Sequence, residues 1–273
     1  MSGEDTSRES GVWWGAWPLD MEQAHCWRIG PLELMARRWP NEWRLAWRYG
    51  VDPLEAVLET RYAELEEFPD TRDGGWEVMR FGFKESTKAL SLSPRTADRP
   101  VVVRPELPFY LPGGEETYLY VSTAAWVEVR AGVGGPLLCE MPTYRPSDCW
   151  FGPNTREGEI CYASRSVGRM RFEDVSQRPH RILSRITLRN LAEDPFLIER
   201  INIPVPILSL HRDGLNRLWT RSLVMERSAD GRAASVNLEE SQLPEGVLAE
   251  PLTQARSNGE RHVFKRAMDR LFG

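Results

Sequence analysis

One stretch of the 273-residue chain concentrates side chains able to do chemistry: TYRPSDCWFGPNTREGEICYA, residues 143–163. It gathers Arg145, Asp148, Trp150, Asn154, Arg156, Glu157 and Glu159 around a Gly-Pro turn. Polar groups crowded on a turn between extended segments are how a rigid β scaffold presents a recognition surface. An exposed indole beside carboxylates and guanidinium groups suits a sugar ring, a peptide or another planar ligand. The loop at 145–159 is therefore the expected ligand-binding surface. A purely local reading competes with it. Asp148 and Asn154 would bond their own backbone, Trp150 and Phe151 would plug the end of a sandwich, and the Arg and Glu side chains would form solvated ion pairs worth ~0–1 kcal/mol each.

Two catalytic readings of the same stretch have less behind them. Glu157 and Glu159 are two residues apart, so in an extended segment both carboxylates project from one side, a spacing open to a metal ion or to acid–base work. Cys149 would act as a nucleophile only if a base or cation lowered its pKa from roughly 8.5, and His180 or His211 would have to be brought to it by folding. Cys26, Cys139, Cys149 and Cys161 form no CxxC or CxxH pair, which leaves zinc clusters and thioredoxin chemistry unsupported. The chain lacks a GxSxG nucleophile elbow, an HExxH helix, a P-loop and a dinucleotide fingerprint. No catalytic residue, metal site or cofactor is assigned.

Composition narrows the class further. A net charge of −5 argues against non-specific nucleic-acid binding. All but Lys84, Lys88 and Lys265 of the 35 basic residues are Arg, a bias that a GC-rich genome would produce and that a surface built for bidentate anion contacts would also use. Eleven Trp are a heavy load, to be divided between core and exposed stacking platforms. No apolar run approaches the roughly 20 residues that span a bilayer. The start, MSGEDTSRES, has neither the basic nor the apolar region of a signal peptide. The expected location is the cytoplasm, with reduced thiols.

The elements that must position the loop are mostly strands. Residues 1–10 read as a disordered tail, and Trp13, Trp14 and Trp17 as packing or a tucked arm. From His25 to Tyr49 two or three strands are expected, with a bulge or tight bend at Gly30-Pro31 and a turn at Pro40-Asn41. Residues 53–67 predict a helix: Asp52 and Pro53 make its start, and Leu54, Val57, Leu58, Tyr62 and Leu65 fall on one stripe. This hairpin-plus-helix segment spans 11–75. From 76 to 240 short runs with period-2 alternation predict strands, among them 100–104, 117–130, 159–163, 168–174, 182–190 and 217–227. Such spacing without interleaved helices predicts a mainly β, antiparallel, immunoglobulin-like sandwich, either one large or two stacked. Residues 241–258 read as a linker. Residues 259–273 predict an amphipathic helix, with Val263, Phe264, Met268, Leu271 and Phe272 on the face that would grip a protein partner or a second copy.

The segment RITLRNLAEDPFLIERINIPVP resembles hairpins of immunoglobulin-like sandwiches, in which a strand ending in Asn turns through an acidic-Pro tip. On a larger scale, GPLELMARRWPNEWRLAWR at 30–48, RPVVVRPELPFYLPGGEETYLYVSTAAWVEV at 99–129 and PTYRPSDCWFGPNTREGEICYA at 142–163 resemble a prokaryotic domain family of unknown function, prominent in archaea. The likeness covers most of residues 25–240. It implies a cytoplasmic, mostly β protein, and as a neighbour a small-conductance mechanosensitive channel; it supplies no catalytic residue. It directs attention to Asp148, Trp150, Gly152, Asn154, Gly158 and Glu159. The expected function is a non-catalytic binding or accessory module. The alternatives are a small-ligand or carbohydrate binder using Trp150, and a metal-assisted or thiol enzyme using Glu157 and Glu159 or Cys149.

Overall fold

A computed structural model describes residues 11–21, 23–152, 154, 156–231, 233–238, 243–244, 246–257 and 264–267. Its strands, in chain order, are β1 (Gly15–Pro18), β2 (Ala24–Ile29), β3 (Leu32–Trp39), β4 (Glu42–Tyr49), β5 (Leu58–Ala63), β6 (Glu77–Gly82), β7 (Ala89–Arg95) and β8 (Val101–Val103). Next come β9 (Phe109–Leu111), β10 (Glu116–Ala124), β11 (Trp126–Ala131), β12 (Leu137–Pro142), β13 (Ser147–Phe151), β14 (Glu159–Ala163), β15 (Arg181–Asn190) and β16 (Phe196–Ile198). The last are β17 (Ile201–Ile203), β18 (Leu210–Asp213), β19 (Leu218–Thr220), β20 (Leu223–Arg227), β21 (Ala233–Leu238), β22 (Ala249–Thr253) and β23 (Phe264–Ala267). Among the described residues the helical pieces are four three-residue 3₁₀ turns, such as Leu65–Glu67 and Asp73–Gly75. The chain is mainly β, and it forms two compact units. One is built from the residues up to Pro94 and from Trp126–Arg145, the other from Arg95–Ala125 and the residues from Pro146 on.

In the first unit, a five-stranded sheet (β5-β2-β3-β4-β6) lies against a four-stranded one (β1-β7-β11-β12). The alternation read from His25 to Tyr49 is real: Trp27, Ile29, Leu34 and Leu45 are buried on one face. The register break at Gly30-Pro31 is a two-residue hairpin turn, with Ile29 opposite Leu32 and Gly30 at φ 57°. Glycine occupies a positive-φ turn position at no steric cost. Tryptophan fills the interior. Trp13, Trp27 and Trp43 are fully buried, and Trp17 meets Trp27 edge-on at 5.5 Å. Trp43 Nε1 donates to Thr87 Oγ1 at 3.1 Å, which satisfies its polar atom. The buried Arg38 is held by uncharged acceptors: Leu19 O at 3.0 Å, and Ser86 Oγ and O at 3.1 and 3.2 Å.

The helix expected over 53–67 does not form. Leu58–Ala63 is strand β5, antiparallel to β2, followed by the 3₁₀ turn Leu65–Glu67. The stripe of Leu58 and Tyr62 also satisfies a period of two through Thr60, and pairing with β2 decides between the two periods. Three glutamates of the segment reach arginines. Arg28 bonds Glu55 and Glu59 at 3.1 and 3.2 Å, and Arg61 bonds Glu67 at 2.5 Å.

The second unit contains an eight-stranded sheet, β22-β18-β19-β15-β20-β21-β23 with β10 on the other side of β15, a four-stranded sheet, β13-β14-β8-β17, and the pair β16-β9. It is not wholly antiparallel: β14 runs parallel to β8, and β15 runs parallel to both β19 and β20. The run 117–130 is two strands, because the chain leaves β10 at Ala124 and enters the first unit at Trp126. Residues 168–174 form single bridges and a 3₁₀ turn rather than a strand. Asn190 closes the hairpin seen in RITLRNLAEDP. Fully buried, it donates from Nδ2 to Leu111 O, Pro112 O and Asp194 O at 3.1, 3.1 and 2.8 Å.

Within the span read as a linker, Ala249–Thr253 is strand β22, paired with β18. In place of the C-terminal helix, Phe264–Ala267 is strand β23, antiparallel to β21. An isolated helix of about 14 residues is marginal in water, whereas the edge of β21 offers backbone partners outright. Val263, Met268, Leu271 and Phe272 lie outside the described residues, as do residues 1–10.

Candidate functional site

The stretch 143–163 is a hairpin more than a loop. Ser147–Phe151 and Glu159–Ala163 pair antiparallel, with Asp148 opposite Tyr162, Cys149 opposite Cys161, Trp150 opposite Ile160 and Phe151 opposite Glu159. Side chains on one strand alternate between faces, so the register divides the hairpin in two. Cys149, Phe151 and Cys161 turn inward and pack with Val102. Asp148, Trp150, Ile160 and Tyr162 turn outward.

The inner face is structural. Burial raises the Cys149 pKa, against which Arg200 pulls down. That opposes the thiolate a nucleophile needs. Glu159 Oε1 accepts from Asn202 Nδ2 at 2.8 Å, while the exposed Glu157 donates its backbone N–H to Asn154 Oδ1 at 2.9 Å. Of the two, Glu159 engages its carboxylate, whereas Glu157 takes part through its backbone. Among the described residues no three His, Cys, Asp or Glu side chains converge as a metal site.

The outer face is displayed and fixed. Trp150 is 42% exposed and Ile160 54%. The indole N–H of Trp150 donates to Asn154 O at 2.8 Å, and Asn154 Oδ1 accepts from the backbone of Arg156 at 2.8 Å. A Cβ added to Gly158 would lie 2.7 Å from Trp150 Cε2, so the ring rests on that glycine. Polar groups rim the apolar pair. Arg99 Nη1 bonds Asp148 Oδ1 at 3.2 Å, and its guanidinium lies 5.2 Å from the centre of the Tyr162 ring. Tyr162 donates its hydroxyl to Asp98 at 3.0 Å, and burial together with that bond pushes its pKa up to about 12.

The β13 strand is also the edge of its sheet among the described residues. On β14 the amide of Tyr162 turns to Pro100, away from β13. The odd-numbered residues therefore carry the β13–β14 bonds, and Asp148 and Trp150 turn their backbone groups to the open edge.

Six of the seven expected binding residues, all but Arg145, lie on this hairpin or its tip. Arg145 belongs to the first unit, where it meets Glu77 at 3.4 Å and lies 5.6 Å from the Tyr49 ring centre. Reading the sequence missed Ile160, Tyr162, Asp98 and Arg99. The alternation in 159–163 could have flagged Ile160 and Tyr162, but only the register sets Ile160 against Trp150.

A family model described as "Protein of unknown function (DUF432)" matches residues 13–272. The chain belongs to that family. The match takes in both units and the hairpin, and it agrees with the expected uncharacterised domain family. Searches of curated proteins and of solved structures each returned no match. No helix among the described residues is long and apolar enough to cross a membrane.

Proposed function

We propose that this chain is a non-catalytic binding module of the cytoplasm, whose recognition surface is the β13–β14 hairpin and whose partner adds an extended segment as a further strand on β13. The observation that carries the reading is the opposed pair Trp150 and Ile160, held exposed at 42% and 54% beside an open strand edge. An edge strand contributes backbone hydrogen bonds, and alternate side chains contribute selectivity. An apolar centre with a rim made by Arg99, Asp148 and Asp98 is the anatomy of a small protein interface. No disulfide joins the four cysteines, in keeping with a reducing compartment. The two facing sheets of the first unit favour an immunoglobulin-like arrangement there.

The test is affinity capture with the full chain from extracts and membranes of the native host, repeated with Trp150→Ala and Ile160→Glu. A mechanosensitive channel, the neighbour implied by the family resemblance, is the first partner to probe. Specific capture lost in both variants, with unchanged circular dichroism, supports the reading. Capture that survives both moves recognition off the hairpin. A second reading, a sugar or other planar ligand on the indole, draws on the pinning of Trp150 by Asn154 and Gly158. A saturable fluorescence shift with a sugar panel, abolished by Trp150→Ala, would favour it.

A further inference from the structure

The first unit carries a pocket of about 460 Å³ lined by Tyr49, Arg72, Gly75, Trp76, Glu77 and Arg145. Its arginines differ from those around them. Arg28, Arg44, Arg48, Arg61 and Arg80 each hold a carboxylate at 3.2 Å or less. Arg145 reaches Glu77 only at 3.4 Å, and Arg72 makes no ion pair among the described residues. Two guanidinium forks are thus left with donors to spare, and such forks match the two oxygens of a carboxylate. The pocket also has aromatic carbon. Tyr49 is half-buried with Arg145 over its ring, and Trp76 has Arg48 at 4.5 Å from its ring centre. Burial raises the Tyr49 pKa, so its hydroxyl stays protonated and able to donate.

We infer that this pocket binds a small aryl carboxylate, the carboxylate between Arg72 and Arg145 and the ring against Tyr49 and Trp76. The ligand carboxylate displaces Glu77 as the partner of Arg145. The site lies in a different unit from the hairpin, so its success or failure is independent of the function proposed above.

Benzoate serves as the probe, titrated calorimetrically and by proton chemical shifts into the full-length chain. The expected result is saturable binding with a dissociation constant on the order of millimolar, as suits so small a ligand. Arg72→Ala and Arg145→Ala should each weaken it about tenfold. Glu77→Gln should strengthen it by removing a like charge, and Trp150→Ala should leave it unchanged. Absence of saturation overturns the inference, as does binding indifferent to both arginine variants. Tighter binding of inorganic phosphate than of benzoate overturns the aryl carboxylate assignment.

Discussion

His25 shows how a single side chain sets a pH limit. It is buried with its ring centre 4.4 Å from that of Trp27, 5.1 Å from Trp17 and 5.1 Å from Tyr62. Burial first, and the Arg61 guanidinium second, hold its pKa down from 6.5 to about 4. Below pH 6.5 the unfolded chain takes up a proton that the folded chain refuses. Stability therefore falls from pH 6.5 to about 4 and then levels off in this component, by up to about 3 kcal/mol. Chemical denaturation at several pH values should show that slope in the wild type and a shallower one in His25→Phe; equal slopes would remove the argument. At the hairpin, Gly158→Ala puts a Cβ 2.6 Å from Phe151 O and 2.7 Å from the Trp150 ring, so both the hairpin backbone and the indole must shift. The Trp150 indole N–H resonance should shift while global stability changes by about 1–3 kcal/mol. The sequence named Trp150, Asn154 and Gly158, but their mutual contacts need the fold of the tip.

Strands were legible where one face is apolar and the other is not. The runs that became β3 and β4 declare themselves by alternation, and the all-valine β8 as a short apolar run. Residues 53–67 did not, because their spacing fits both periods and only the partner strand β2 chooses. The terminal stretch failed for the same reason: Phe264–Ala267 has a β partner that no local pattern reveals. Parallel pairs such as β15 with β19 and β20 were equally hidden, since pairing direction is not written in composition. The junction at Asn190 offers a test at this level. Its three carbonyl partners lie in two other stretches of chain, Leu111–Pro112 and Asp194. Asn190→Ala takes this shared donor from the buried Leu111 carbonyl, while Asp194 O keeps Arg227 Nη1 at 3.2 Å, and should cost about 1–3 kcal/mol. Urea denaturation measures it, and a loss below about 1 kcal/mol would mean that water replaces the amide.

At the scale of the whole chain, each unit is assembled from separated segments. The four-stranded sheet of the first unit takes β1 and β7 from before Pro94 and β11 and β12 from after Trp126. A fragment ending at residue 94 therefore lacks two of its four strands, and the edge of β7 that faces β11 is left unpaired. That fragment should give poorly dispersed amide NMR spectra. A chain joining 94 to 126 through a flexible Gly/Ser linker and ending at 145 should restore dispersion. If the short fragment folds alone, β11 and β12 are accessories.

Interleaving also bears on how the polypeptide is made. When β10 leaves the ribosome its companion β15 has yet to be translated, because 66 residues separate Ala124 from Asn190. At synthesis rates of about 5–20 residues per second the wait is roughly 3–13 s. Throughout it, Leu119 and Val121, both fully buried in the finished protein, stand uncovered on a nascent ribbon. Chaperone engagement during translation should therefore peak after β10 emerges and subside once β15 follows.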